Sequence, residues 1–132
     1  MTFKWTKNMA VDNGLIDGDH QALIAIANRL SELSHPNQEA DEIQSVIREL
    51  YDYVSFHFTR EEAFMRRILY PHKNEHIEKH RLILSEMNRQ LTSSHHLGEV
   101  LISFQNLMQK WIMEHIMEED MQIKAYLSRD AR

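Results

Sequence analysis

The feature that most constrains the fold is a long repeat between residues 39 and 69. Positions that would share one face of a helix recur there at alternating steps of four and three residues. They are occupied by Ile43, Ile47, Leu50, Val54, His57, Glu61, Phe64 and Ile68. This spacing is typical of a helix packed in a bundle. Two successive positions, His57 and Glu61, are polar and lie one helical turn apart. The repeat predicts a bundle helix that carries polar groups into the core.

Three further segments complete a predicted all-α, up-down-up-down four-helix bundle. They run from about Asp17 to Leu33, from about Lys73 to Leu91, and onward from a polar loop at 93–98. The chain contains only 3 Gly and 2 Pro in 132 residues, which suits long helices. We expect one domain, with an extended N-terminal arm at 1–16 and the bundle at 17–127.

The other helices also place histidine on their apolar sides. His20 lies on the apolar face of the first segment, and His76 and His80 share one stripe of the third. In the fourth segment His115 continues the apolar steps, which then resume at Asp120 only if one residue is inserted. An inserted residue of this kind predicts a π-bulge between the two side chains, a feature often found at functional sites.

These inward polar groups point to metal binding. The set consists of His20, His57, Glu61, His76, His80, His115 and Asp120. Each would cost about 1–3 kcal/mol if it were buried without a partner, and a metal ion, or two, supplies partners together. Seven donors are too many for one tetrahedral zinc. Imidazole suits iron, zinc, copper and nickel, while imidazole with bridging carboxylates in a bundle favours two irons or two manganese ions.

Two other metal patterns do not fit. A ferritin-like site requires Glu-x-x-His on two helices, and the chain has that spacing only at Glu32 and His35, at a predicted helix end. A zinc protease requires glutamate directly after the first histidine, whereas Glu78 lies one place late between His76 and His80.

Composition excludes several classes of function. A net charge of −5 lacks the basic excess of a nucleic-acid-binding protein, and the absence of cysteine excludes disulfides and thiolate ligands. No stretch is apolar enough to span a membrane, and the N-terminus lacks a signal-peptide core. We therefore expect a cytoplasmic protein that binds neither nucleic acid nor membrane, with any protein partner unknown.

The order and spacing of the seven polar residues resemble the hemerythrin signature across almost the whole chain. The patterns are His20, His57-x-x-x-Glu61, His76-x-x-x-His80 and His115-x-x-x-x-Asp120. The chain also resembles the bacterial branch of that family at Trp5, at the run Ile16-Asp17-x-x-His20-Gln21-x-Leu23 and at Tyr70-Pro71.

The resemblance implies two non-haem iron ions with an oxo or hydroxo bridge, and reversible binding of dioxygen. It implies that Glu61 and Asp120 bridge the irons. One iron would be held by His76, His80 and His115, and the other by His20 and His57, with one position left open for dioxygen. Bulky apolar neighbours of the ligands are expected to line a dry oxygen pocket, namely Leu23, Phe58, Trp111, Ile112 and Ile116.

Three functions remain open from the sequence. We favour a dioxygen binder, acting as carrier, store or sensor, over an enzyme, since no proton donor is evident near the open iron. The alternatives are a di-iron redox enzyme acting on peroxide, nitric oxide or ferrous iron, and a zinc site that only stabilises the bundle. His72 is a lesser candidate donor, and the charged runs at 60–62 and 118–120 are interpreted mainly as solvated faces apart from the named ligands.

Overall fold

The computed structural model describes residues 4–6, 9–11, 13–34, 40–92 and 96–130, with only the backbone at 112, 113, 129 and 130. The helical elements are α1 (Gly14–Ser31), α2 (Ala40–Arg67), α3 (Lys73–Leu91), α4 (Leu97–Trp111), a π-helical segment (Ile112–Asp120) and α5 (Met121–Asp130). The last three follow one another without a break and form the fourth helix of the bundle. The predicted all-α four-helix bundle is confirmed.

The helices pack as a closed four-helix arrangement. Helix α1 contacts α2 and α4, α2 contacts α3, and α3 contacts α4. The bounds of α3 match the prediction, and α2 ends two residues before the predicted Leu69. Helix α1 ends at Ser31, two residues before the predicted Leu33, and α4 begins at Leu97, inside the loop predicted at 93–98. Of the predicted breaks, residues 35–37 and 93–95 lie outside the described residues. None of the described helices is both long and apolar enough to cross a membrane.

Helix α1 begins at Gly14, three residues before the predicted start. Asn13 is its N-cap, because the Asn13 side-chain oxygen accepts hydrogen bonds from the N–H groups of Leu15 and Ile16 at 3.1 and 3.0 Å. Asp17, taken from the sequence as the first helical residue, instead accepts from the Val11 N–H at 2.8 Å. This bond fixes the end of the N-terminal arm against the first turn of α1.

Helix α2 ends in a Schellman motif without glycine. Tyr70 N–H donates to the Met65 carbonyl at 3.0 Å and Leu69 N–H to the Arg66 carbonyl at 3.2 Å, the two bonds that define the motif. Leu69 occupies the left-handed position with φ 57°, and its side chain is 81% exposed. A leucine there carries backbone strain, and its mostly exposed side chain buries little apolar surface that could offset that cost.

Replacing Leu69 with glycine is therefore expected to stabilise the protein. Glycine adopts this conformation without the steric cost of about 1 kcal/mol that an L side chain incurs. We expect the free energy of unfolding in urea to rise by about that amount. The control is Ile102→Gly at an exposed site inside α4, which should lower it by about 0.5–1 kcal/mol. Equal losses in both variants would contradict the interpretation.

The fourth helix contains a longer π-helical segment than the single inserted residue predicted. The segment runs for 9 residues, from Ile112 to Asp120, and includes both His115 and Asp120. Hydrogen bonds in a π-helix join residues five apart, so these two side chains lie on the same side of the helix. The predicted deviation from α-helix is confirmed: it lies between His115 and Asp120, and it brings their side chains to the same side of the helix.

Two apolar clusters fill the bundle, one on each side of the polar residues along the helices. The larger, called the main cluster, consists of Leu23, Ile24, Ile26, Ala27, Leu30, Ile43, Val46, Ile47, Leu50, Val54, Phe58, Met87, Leu101, Phe104, Met108, Trp111 and Ile116. The smaller, called the end cluster, consists of Val11, Ile16, Phe64, Met65, Tyr70 and Ile123. In α2, for example, His57 and Glu61 lie between residues of the main cluster and Phe64. The polar residues thus form a layer between two apolar regions.

Candidate metal centre

The structure brings all seven predicted polar residues into one buried layer. Each is at most 3% exposed, and the set comprises His20, His57, Glu61, His76, His80, His115 and Asp120. They come from α1, α2, α3 and the π-helical segment, so every helix of the bundle contributes. Asp19 is also buried, at 3%, although the sequence did not single it out.

The seven side chains form two overlapping groups of potential metal ligands. One group is Glu61, His76, His80, His115 and Asp120, and the other is His20, His57, Glu61 and Asp120. Within each group the ligand atoms lie within 4.8 Å of one another. The two carboxylates belong to both groups, whereas each histidine belongs to one.

Glu61 directs one carboxylate oxygen toward each group. Its Oε1 lies 2.8 Å from His76 Nε2 and 3.1 Å from His80 Nε2. Its Oε2 lies 3.3 Å from His57 Nε2 and 3.5 Å from His20 Nε2. The side chain therefore spans the two groups.

Asp120 repeats this division from the opposite helix. Its Oδ1 lies 3.0 Å from His76 Nε2 and 3.1 Å from His115 Nε2, while its Oδ2 lies 2.9 Å from His20 Nε2. Each carboxylate thus directs one oxygen to one group of imidazoles and its other oxygen to the other group. This geometry suits a carboxylate that bridges two metal ions.

The hydrogen bonding of the seven side chains also indicates that they bind metal ions. Despite these short distances, Glu61 Oε2 and both Asp120 carboxylate oxygens are buried and form no hydrogen bond within the part of the chain that the structure describes. The ring nitrogens also approach each other, with Nε2 atoms 3.0 Å apart in the pair His20 and His57 and in the pair His80 and His115. Buried polar atoms without partners are rare in native proteins. Cations shared between these atoms would satisfy all of them.

The electrostatics of the layer keep the carboxylates ionised. Burial alone raises the pKa of Glu61 and of Asp120, but the surrounding histidines hold both values below their usual range. Burial alone lowers the pKa of His20 and of His76, but contacts with the two carboxylates raise these values to about 10 and about 9. Without metal, the raised pKa values of His20 and His76 favour protons on these two rings beside the carboxylates.

These shifts predict that the metal-free protein loses stability as the pH rises. A histidine whose folded pKa is raised contributes stability that is complete below its unfolded pKa near 6.5 and is lost as the pH passes its folded pKa. For His20 and His76 that window extends to pH values of about 10 and about 9. We expect the urea midpoint of the chelator-treated protein to fall steadily between pH 6 and pH 9.5.

Metal should reverse this pH dependence. Metal ligation requires neutral imidazoles, so binding releases protons and strengthens as the pH rises. The metal-loaded protein therefore serves as the control, with a midpoint that is flat or rising over the same interval. A flat midpoint in the metal-free protein would show that the histidines are neutral there.

Two acidic residues that the sequence analysis missed hold the outer nitrogens of the histidines. His57 Nδ1 lies 3.1 Å from Asp19 Oδ2, and His80 Nδ1 lies 2.8 Å from Glu62 Oε2. The charge run at 60–62 was interpreted as solvated apart from Glu61, and for Glu62 that interpretation is wrong. Each acid directly adjoins an inward ligand in the sequence, and this adjacency is the signal that could have identified it.

Aromatic residues pack directly on the ligand rings. Phe58 stacks on His80, with 3.8 Å between ring centroids and 3° between planes, and Trp111 lies parallel to His115 at 5.9 Å and 15°. Leu23 and Ile116 are fully buried in the main cluster, while the side chain of Ile112 lies outside the described residues. These packing contacts cover the ligand rings with apolar side chains. A dioxygen pocket lined by the five predicted residues stays a prediction.

The other histidines do not join the layer where the structure describes them. His72 is 60% exposed on its side chain and lies 3.8 Å from Glu75, so it faces away from the candidate ligands. His96 is exposed as well, and His35 and His95 lie outside the described residues.

Comparison with known proteins gives a consistent result. The model of the hemerythrin HHE cation-binding domain matches residues 12–127. A bacteriohemerythrin of Campylobacter jejuni is 34% identical over 121 residues, covering 91% of each chain. Bacteriohemerythrins of Clostridium acetobutylicum and Pseudomonas aeruginosa are 30% and 27% identical, covering 89% and 88% of this chain and 95% and 75% of their own. The family-model match includes all the predicted ligands from His20 to Asp120.

Proposed function

The chain belongs to the hemerythrin family, and from that premise we propose that it binds two iron ions and uses them to bind dioxygen reversibly. The donor set supports iron, because imidazole and carboxylate together suit this metal. No thiolate competes for a softer metal, since the chain lacks cysteine. Iron in the ferrous state would supply the electrons that dioxygen takes up on binding.

The division of ligands supports two ions with different roles. His76, His80 and His115 would hold one ion, and His20 and His57 the other, with Glu61 and Asp120 shared. The second group has one histidine fewer than the first. A position that the protein leaves without a ligand is what a small molecule needs in order to reach a metal.

The surrounding residues would protect this position from water. Leu23 lies about one helical turn after His20, Phe58 directly follows His57 with their ring centroids 5.9 Å apart, and both apolar side chains are at most 1% exposed. An apolar wall excludes water and anions, and it offers no acid that would promote further reduction of the bound gas. This environment favours reversible binding over catalysis, with the protein as a carrier, store or sensor of dioxygen.

One observation carries the proposal: Glu61 and Asp120 each direct one carboxylate oxygen to the three-histidine group and the other to the two-histidine group. The test is to purify the protein without oxygen, count its metals and reduce it. Visible spectra are then recorded before air, in air and after oxygen is removed. We expect two irons per chain and a visible band that appears and disappears with oxygen.

Other outcomes would replace the proposal. Zinc without a visible band would indicate a structural metal site. Two irons that oxidise irreversibly in air, with turnover of peroxide or nitric oxide faster than free iron achieves, would indicate a redox enzyme.

A further inference from the structure

Behind the two-histidine group lies a buried carboxylate that is not itself a candidate ligand. Asp19 is on α1, next to His20, but its Oδ2 accepts from His57 Nδ1 on α2 at 3.1 Å. The opposite ring nitrogen, His57 Nε2, lies 3.3 Å from Glu61 Oε2. A proton on Nδ1 leaves the lone pair on Nε2, the atom that faces the candidate metal position.

Asp19 is held in place by two residues of α2 that flank His57. Arg60 Nε lies 3.2 Å from Asp19 Oδ2, and the Tyr53 hydroxyl donates to Asp19 Oδ1 at 3.3 Å. The Arg60 guanidinium is itself positioned 4.5 Å above the centre of the Phe56 ring. With three partners, the carboxylate has little rotational freedom and retains its charge.

The two ligand groups differ in how acidic side chains hold the outer nitrogens of their histidines. In the three-histidine group His80 is held by Glu62, whose side chain is 20% exposed, compared with 4% for Asp19. In the two-histidine group His20 Nδ1 is buried and has no hydrogen-bond partner among the described residues. Within the described residues, the contact from Asp19 to His57 is therefore the one hydrogen bond that holds an outer ring nitrogen of this group.

We propose that Asp19, held by Arg60 and Tyr53, is the positioning residue of the two-histidine metal position and sets how tightly that position retains its ion. The proposal rests on the proposed metal centre and adds a residue to it. Partners of this kind fix the tautomer and direction of a ligating imidazole, and their loss typically reduces metal affinity by about 10–100-fold.

The test compares release of ferrous iron to a colorimetric chelator from the loaded protein without oxygen. Asp19→Asn keeps the size of the side chain but removes the charge. We expect one of the two ions to leave about 10–100-fold faster and the other to leave at the parent rate. Arg60→Gln should act in the same direction with a smaller effect, and Arg66→Gln, at an exposed site on the same helix, should have none.

Two further variants separate positioning from general loosening of the fold. Glu62→Gln is the matched change behind the three-histidine group. It should therefore accelerate release of the ion that Asp19→Asn leaves at the parent rate. In a His57→Ala background, adding Asp19→Asn should accelerate release no further, because the contact through which Asp19 acts is already gone. General loosening of the fold would instead accelerate release of both ions from Asp19→Asn.

The outcomes are distinguishable. Release of both ions from Asp19→Asn at the parent rates would overturn the proposal, as would equal acceleration of both. An additional effect of Asp19→Asn in the His57→Ala background would also overturn it. A parent protein that takes up fewer than two irons would overturn the proposed function itself, and with it this inference.

Discussion

Replacement of Glu61 by glutamine is expected to weaken the binding of both metal ions at once, by at least about 100-fold each. Glu61 is fully buried and offers Oε1 to one ligand group and Oε2 to the other. Glutamine has nearly the same shape, but its amide is neutral and presents one acceptor oxygen instead of two. Asp120 would then be the one carboxylate left that belongs to both ligand groups and offsets the charge of both ions.

Metal counting after anaerobic loading measures this effect, and Glu49→Gln provides the control. Glu49 lies on the same helix, and its exposed side chain pairs with Arg29 at 2.7 Å, a contact that contributes at most about 1 kcal/mol. The control should bind two ions. A Glu61→Gln protein that also retains two ions would show that Glu61 does not bridge them.

Removal of metal is expected to lower the stability of the protein by several kcal/mol. An ion that binds only the folded chain, at a free concentration of about 1,000 times its dissociation constant, contributes about 4 kcal/mol. The polar layer adds to this dependence, because without metal its imidazoles and carboxylates are buried with incomplete hydrogen bonding. For a chain of this size we expect the melting temperature to fall by more than about 10 °C.

Differential scanning calorimetry of loaded and chelator-treated protein measures the difference. The Glu61→Gln variant is the control for nonspecific effects of the chelator, because its melting temperature should rise much less with added ferrous iron than that of the parent. Equal melting temperatures of the loaded and metal-free parent would mean that the layer is self-sufficient without ions, in conflict with its unpartnered Glu61 and Asp120 oxygens.

Features that depend on helical periodicity were predictable from the sequence. The stripe through α2 located His57 and Glu61 on the inward face, and the interrupted stripe of the fourth helix located the π-helical deviation between His115 and Asp120. A helix has one period, so a polar residue in step with apolar ones must face the core. The burial of all seven candidate ligands follows from that rule.

Features that depend on contacts between helices were not predictable in this way. Asp19 and Glu62 lie one residue away from the inward stripe, and only the packing of α1 on α2 and of α2 on α3 brings them to His57 and His80. Arg60 was interpreted as solvated for the same reason, yet it contacts Asp19 at 3.2 Å. Long side chains reach partners that periodicity does not specify.

The separation of the apolar core into two clusters has a consequence for folding cooperativity. The end cluster contains six buried residues from the N-terminal arm, α1, α2, the segment before α3, and α5, too few to fold as an independent unit. The polar layer lies between the end cluster and the main cluster. Without metal this layer packs weakly, whereas bound metal ions would link all four helices across it. We therefore expect the metal-free chain to open first at the end cluster, as a local unit of low stability, and the loaded chain to unfold as one.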